Sequence, residues 1–407
     1  MLTVAEALQK VQDCVAALPP RVVPLEQALG CLTAESIASD VDSPPYDKSM
    51  VDGYAIRYAD LKDGVGELRF LEEVTAGELP TVEVVSGTTT RIMTGAPMPA
   101  GADAVVMVER SKELPTGHIR LEDPKAKPGQ NIVRRAAVMS RGDAVLPAGK
   151  LVTPTVVGLL AEVGCAEVRV VPRPRVAVLA TGNELVEPRE KPAPGQIRNS
   201  NGPMLAAQVM RSGAEPIVLG IARDDRESLR TKIAAGLETD LLVLSGGVSA
   251  GVLDLVPSVL TELGVREVFH KISMKPGKPL WFGLRKGADG RMTPVFGLPG
   301  NPVSSLVCFE LFVRPAIAQL AGQPLPAEPQ YLAKLTEPFT HRGDRPTFWP
   351  GRREQQTAGS IGPSVQPLRW QGSGDLRTLI DADCLICFPA GDRAYVAGEK
   401  VDVRPFC

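Results

Sequence analysis

At 407 residues the chain exceeds the roughly 250–300 residues at which a single hydrophobic core stops growing, so two to four domains are expected. Hydrophobic residues at 44% and charged residues at 23% exclude an intrinsically disordered chain. A formal net charge of -2 and aromatics at 4% offer neither a basic excess to neutralise phosphate backbones nor platforms for stacking bases, so nucleic acid is not an expected partner.

The first segment spaces Thr3 and Glu6 as a capping box and sets Val4, Leu8, Val11, Val15 and Leu18 on one helical face, ended by Pro19 and Pro20. Its charges at Glu6, Lys10 and Asp13 do not suit a signal peptide. No apolar run approaches the roughly 20 residues that cross a bilayer, and the expected location is the cytoplasm, with no membrane partner. A boundary is expected at the proline pair of SPPYDKSMVDGYA (43–55). Residues 50–133 carry short β-branched runs, TVEVVS (81–86) and ADAVVMVE (102–109), between Gly and Pro turns, and read as a small β domain. TPTVVGLLAEVG then predicts a helix and EVRVV a strand, before the PRPR run at 172–175.

From 175 to about 322 strand-like runs alternate with amphipathic ones: VAVLA, PIVLGIA and LLVLSGG precede PMLAAQVMRSG, RESLRTKIAAG and VPSVLTELG. This alternation predicts a parallel sheet with helices on both faces. In such sheets ligands bind beyond the strand carboxyl ends, where the loops at 181–184, 223–225, 245–249 and 297–302 carry unusual residues. A proline-rich linker at 323–329 leads to a C-terminal portion of short strands with the glycine cluster at 371–374. The seven cysteines have no disulfide framework and read as reduced, and Cys384 and Cys387 read as apolar strand residues, since only three histidines could complete a zinc site.

Gly246, Gly247 and Gly251 bracket a loop whose amides could approach an anion, although glycine pairs after strands are also ordinary turns. Glu184, Asp224 and Asp254 stand on the same predicted edge as Lys271, Lys275 and Lys278. Carboxylates beside lysines suit a Mg²⁺-bridged polyphosphate. The competing reading makes the acids helix caps, a role that fits Asp225 better than Asp224, and Lys275-Pro-Gly-Lys278-Pro an exposed basic loop. Asp52 looks locally like an Asp-Gly turn. Gly-x-Ser-x-Gly, P-loop and Gly-x-Gly-x-x-Gly patterns are missing, which removes the usual support for hydrolase, kinase and dehydrogenase readings.

Taken together, SMVDGYA (49–55), RIMTGAPMPAGADAVV (91–106), KPGQNI (127–132), TGNEL (181–185), SGGVSAGVLD (245–254), MKPGKP (274–279), GLPGNPVS (297–304) and QGSGDL (371–376) resemble, in order, the MoeA and gephyrin E-domain family. The resemblance implies a multidomain α/β plus β fold. Its parts are a discontinuous α/β domain I (1–43 and 134–172), an inserted β domain II (44–133), a central doubly wound α/β domain III (173–325) like the molybdopterin adenylyltransferases, and a C-terminal β domain IV (326–407). It implies insertion of molybdate into adenylylated molybdopterin, with Mg²⁺ and release of AMP, molybdate entering an adjoining cationic pocket. It implies a homodimer with the site at the subunit interface, which would bring Asp52 there. An adenylyltransferase and recipient molybdoenzymes are the implied protein partners.

By the same resemblance Asp52, Glu184, Asp224, Asp254, Lys271 and Lys275 are expected to be catalytic, with Glu184, Asp224 and Asp254 on the metal. Thr94, Ser245, Gly246, Gly247, Ser249, Lys278, Pro299, Gly300, Asn301 and Pro302 are expected to bind substrate. Two departures stand out. Where the family usually has Gly-Glu-Asp, ungapped counting from Gly129 to Pro147-Ala-Gly149 places Ala136, Ala137 and Val138, and Asp143 could substitute only by a register shift that misaligns Pro-Ala-Gly. Val252 also replaces a usual acid. Active insertase, non-catalytic paralogue that binds molybdopterin or partners as a scaffold or carrier, and, more weakly, adenylyl transfer therefore all stay open.

Overall fold

The computed structural model describes residues 1–248, 255–324, 331–354 and 362–406. These form two compact units, one of Val23–Leu29 and Thr33–Val168, the other of Met1–Val22, Gly30–Leu32 and Arg169–Cys407.

Helix α1 (Val4–Cys14), in the second of these, starts as its sequence predicts. Thr3 Oγ1 accepts from the Glu6 amide at 3.2 Å and the Glu6 carboxylate accepts from the Thr3 amide at 2.8 Å, so two otherwise unpaired donors are satisfied. These bonds from Thr3 hold the Glu6 carboxyl below its usual range. The helix stops at Cys14, before its apolar stripe does, because Gln319 donates to the carbonyls of Gln12 and Val15 at 2.8 and 2.6 Å and so ends the ladder there. Val15 and Leu18 continue into the core as extended chain.

The unit containing Thr33–Val168 is built on a six-stranded sheet of β1 (Gly53–Ile56), β2 (Val65–Val74), β3 (Thr88–Ile92), β4 (Ala104–Met107), β5 (Ser111–Glu113) and β6 (His118–Glu122), in the order β4-β1-β3-β2-β6-β5. The expected strand at 81–86 is instead a loop. The Glu72 carboxylate accepts from the amides of Thr81 and Val82 at 2.9 and 3.0 Å, taking the donors a ladder would need, and Val82 and Val85 face solvent. Helix α2 (Pro154–Glu162) forms as expected, with Thr153 capping it.

In the other unit, the predicted alternation yields β7 (Arg175–Thr181), α3 (Asn201–Arg211), β8 (Glu215–Ala222), α4 (Arg226–Gly236), β9 (Leu241–Ser245) and α5 (Val256–Glu262), and three further strands follow, the unpredicted β10 (Val265–His270) and β11 (Trp281–Lys286) and then β12 (Met292–Leu298). The sheet order is β8-β7-β9-β12-β11-β10. The first four strands are parallel, while β11 runs antiparallel to both β12 and β10, so the sheet is mixed and not wholly parallel. The links from β10 to β11 and from β11 to β12 are too short for a helical crossover, which forces the reversal. Alternate residues of β7 serve two cores: Val176 and Val178 pack with α1, α3 and the helices that follow β12, and Ala177 and Leu179 pack with α4 and α5.

After β12, α6 (Pro302–Cys308), a π turn (Phe309–Val313) and α7 (Arg314–Leu320) form one helical run. At 19 residues it is long and apolar enough to cross a membrane, contrary to the expectation that no such run exists, but 83% of it is buried inside the protein. Buried Glu310 is ion-paired to Arg211 and to Arg314. A closed barrel follows, of β13 (Tyr331–Leu335), β14 (Thr347–Glu354), β15 (Ser364–Pro367), β16 (Cys384–Phe388) and β17 (Lys400–Pro405), in the order β13-β15-β14-β16-β17. Cys384 and Cys387, three apart on β16, project to opposite faces and cannot pair with each other. Burial pushes the Cys384 thiol far above its usual range, as suits an inert core residue.

Replacing Thr3 with Ala is expected to weaken α1 by about 1 kcal/mol, read as a loss of amide-exchange protection over residues 6–14.

Candidate functional site

The register of the central sheet creates the site. Ala180, Ser245 and Leu298 are neighbours across β7, β9 and β12, and Thr181 is opposite Ala222 on β8, so all four strands end on one edge. The loops that leave them line one cavity of about 1040 Å³. Of the expected residues it gathers Glu184, Asp224, Ser245, Gly246, Gly247, Pro299, Gly300, Asn301 and Pro302.

Each loop is held by bonds that follow from local sequence. Asn183 and Asp224 clasp each other, the Asn183 amide donating to Asp224 at 3.1 Å and the Asp224 amide to Asn183 Oδ1 at 3.0 Å. Asp225, and not Asp224, caps α4 by accepting from the Ser228 amide at 2.8 Å, which leaves Asp224 to the cavity wall. Gly246 and Gly247 adopt φ of 95° and 64°, and a Cβ on Gly246 would lie 2.5 Å from the Thr181 carbonyl oxygen. The glycine pair is therefore required by conformation and by space. The helix starts at Asn201 and Pro302 also face the cavity and their dipoles favour negative charge there, while the Gly202 and Val303 amides are taken by Asn199 Oδ1 and the Ser373 carbonyl.

A second cavity of about 400 Å³ adjoins the first, and Pro279, Pro299 and Asn301 line both. Lys275 and Lys278 belong to it, on a loop tied to the barrel by the Lys275 amide donating to Pro346 at 2.9 Å and the Phe348 amide donating to Lys275 at 2.8 Å. The barrel adds Arg345, Trp349, Trp370 and Gln371–Ser373. The glycine cluster at 371–374 is visible in the sequence without any chemistry attached to it, whereas nothing within HRGDRPTFW marks Arg345. Asn201 and Arg198, which line the larger cavity, likewise carry no local motif. Three cationic side chains make the smaller cavity suited to an oxyanion.

Lys271 lines neither cavity. It follows β10 with φ of 68°, a conformation costly for a side chain with a Cβ. Ser249 and Asp254 lie outside the described residues. Among the described residues no group of three or more His, Cys, Asp or Glu side chains could hold a metal. Glu184 and Asp224 do share the larger cavity, and this pair suits Mg²⁺, which is commonly held by one or two carboxylates with substrate oxygens and water completing the shell.

Asp52 and Thr94 belong to the other compact unit and are paired. Asp52 Oδ1 accepts from both the hydroxyl and the amide of Thr94 at 2.7 Å. These two bonds, the hydroxyl's first, hold the exposed Asp52 carboxyl below its usual range. In the same unit the segment 134–141 is braced by two aspartates: the Arg135 amide donates to Asp47 and the Arg141 amide to Asp42, both at 2.8 Å. Ala136 there adopts φ of 59°, and Val138, its amide bonded to Ser43, is 76% exposed. A left-handed alanine marks a backbone shape that favours glycine, which agrees with the ungapped reading of this loop.

Comparison with known proteins completes the description. Residues 2–164 match the family model described as MoeA N-terminal region (domain I and II), 177–319 that of a probable molybdopterin binding domain, and 332–406 that of the MoeA C-terminal region (domain IV). The chain is 35% identical over 408 residues to a molybdopterin molybdenumtransferase of Staphylococcus aureus, covering 99% of this chain and 95% of that one. It is 36% identical over 416 residues to molybdopterin molybdenumtransferase 2 of Mycobacterium tuberculosis, covering 99% of both. The crystal structure of a molybdopterin biosynthesis MoeA protein from Pyrococcus horikosii superposes with a TM-score of 0.78 at 34% identity, covering 100% of this chain and 99% of that one.

Two outcomes test the local geometry. Ala136→Gly is expected to stabilise the protein by about 1 kcal/mol in denaturant unfolding, by removing the left-handed penalty. Thr94→Val is expected to raise the titration midpoint of Asp52 toward the ordinary carboxylate value, observed by NMR. The sign follows from the depressed native value: the stabilisation by Thr94 is present above the unfolded-state pKa and is lost as pH falls through the folded one.

Proposed function

This chain belongs to the MoeA molybdopterin molybdenumtransferase family, and from that premise we propose that it inserts molybdate into adenylylated molybdopterin with release of AMP. Molybdenum cofactor biosynthesis is the role of that family. The observation that carries the finer reading is the pair of adjoining cavities with a common wall, one bearing carboxylates and helix starts, the other Lys275, Lys278 and Arg345. The larger takes the pterin and its phosphoanhydride; the smaller takes molybdate.

In this reading the helix dipoles at Asn201 and Pro302 favour the phosphate oxygens, and the glycine pair 246–247 lets them approach the backbone closely. Lys275, Lys278 and Arg345 neutralise the molybdate dianion and hold it beside the pterin, which converts an encounter of two anions into a positioned reaction. Glu184 and Asp224, with Asp254 and Ser249 added by the family resemblance, complete the acidic and polar side of the site. The two carboxylates would hold Mg²⁺, whose chemistry is to neutralise the phosphoanhydride oxygens. Lys271 is assigned to the same machinery by the resemblance, and its strained backbone supports the assignment.

The assembly that fits this reading is a homodimer in which Asp52 and Thr94 of one copy complete the site of the other. The four-domain division, with domain I formed by 1–43 and 134–172, belongs to the same proposal, as do an adenylyltransferase donor and molybdoenzyme recipients.

One observation favours a second reading. Val138 occupies the place of a family acid on a braced, exposed loop. If that acid is required, the protein binds molybdopterin as a scaffold or carrier without turnover. The purified protein, given adenylylated molybdopterin, Mg²⁺ and molybdate, is expected to release AMP and activate an apo-molybdoenzyme. Val138→Asp is expected to change stability by less than about 0.5 kcal/mol, because the site is exposed. Tight binding without AMP release, with release restored by Val138→Asp, would instead establish the binding reading.

A further inference from the structure

We propose that Asn201 is a positioning residue that fixes the loop 297–302 between the two cavities and thereby couples their occupancy. The proposal rests on the assignment of the two cavities to molybdopterin and molybdate.

Asn201 is only 8% exposed and opens helix α3. Its Nδ2 donates to Ser245 Oγ and to the Gly300 carbonyl, each at 2.7 Å, so one carboxamide joins the loop after β9 to the loop after β12. The Gly300 carbonyl can only accept, so the carboxamide cannot be reversed. Its Oδ1 is then buried with no hydrogen-bond partner among the described residues. A buried acceptor left unpaired is destabilising, so this arrangement is not the one that stability alone would select.

The next residue carries the connection onward. Asn301 Nδ2 donates to Ser373 Oγ at 2.9 Å, and the Val303 amide donates to the Ser373 carbonyl at 3.1 Å. Ser305 Oγ also donates to the Pro299 carbonyl, which stiffens the loop from behind. A continuous path thus runs from Ser245 in the larger cavity through Asn201, Gly300 and Asn301 to Ser373 in the smaller one. Pro299 and Asn301 line both cavities, so a displacement of this loop by a ligand in one cavity alters the wall met by a ligand in the other. Such coupling is reciprocal by thermodynamic necessity.

The test is a binding cycle by calorimetry: molybdate affinity with and without saturating molybdopterin, in the unaltered protein and in Asn201→Ala. The unaltered protein is expected to bind molybdate at least about fivefold more tightly when molybdopterin is bound. Asn201→Ala is expected to bind molybdate alone within about twofold of normal, to lose the enhancement, and, with the molybdopterin substrate saturating, to show a KM for molybdate raised by about that same fivefold factor or more. An equal enhancement in both proteins overturns the proposal. So does binding of both ligands by the unaltered protein with no enhancement, which leaves the assignment of the cavities standing. Binding of neither ligand defeats that assignment and the present proposal with it. Should Asn201→Ala fail to fold, Asn301→Ala cuts the same path at its other end. The enhancement is a ratio within one variant, so any general weakening cancels.

Discussion

Parallel pairing of β7, β8, β9 and β12 brings four strand ends to one edge, and almost every group in the larger cavity hangs from that edge. A parallel sheet buried on both faces must send its connections over its ends, so the polar loops at 181–184, 223–225, 245–248 and 297–302 gather without any direct attraction for one another. Backbone crowding then selects the residue types. Gly246 passes so close to the Thr181 carbonyl that only glycine fits, and its amide donates to the Leu298 carbonyl at 3.0 Å, which ties this loop to the end of β12.

The smaller cavity has a different origin. Antiparallel β10 and β11 are joined by a loop that carries Lys275 and Lys278, and that loop hydrogen-bonds to the start of β14 in the barrel. Arg345 and Trp349 come from a segment with no motif of its own, and Trp370 directly precedes the glycine cluster at 371–374. Trp349 and Trp370 meet edge to face at 4.9 Å, with the Trp349 indole donating to the Leu368 carbonyl, which builds a firm wall opposite the lysines. The C-terminal barrel is thus part of the candidate site and more than a structural appendage.

The replacement of an acid by Val138 gains meaning from its surroundings. Asp42 and Asp47 accept from backbone amides of the segment 134–141, and in each case the hydrogen bond holds the carboxyl below its usual range. The loop keeps its shape, including a left-handed alanine, without the charge it would display. Scaffold and chemistry are separable here, because the bracing lies in main-chain donors that any side chain at 138 leaves untouched.

The amino-acid sequence by itself determined β7, β8, β9 and β12 with helices α3, α4 and α5, the capping of α1 and α4, and the family, but not β10, β11 or the helices after β12. The features it determined follow from interactions between residues close in the chain, or from motifs whose order is read directly. It did not reveal the mixed sheet, the loop at 81–86, the burial of the helical run Pro302–Leu320, or the roles of Asn201 and Arg345 as cavity walls. Those depend on partners beyond a single turn: Glu72 drawing the amides of Thr81 and Val82, 9 and 10 residues on, Asn201 reaching Gly300, 99 residues on, and Arg345 arriving with the barrel. A hydrogen bond within one turn is encoded by local spacing, whereas one between distant loops exists only after the cores have packed and fixed the distance.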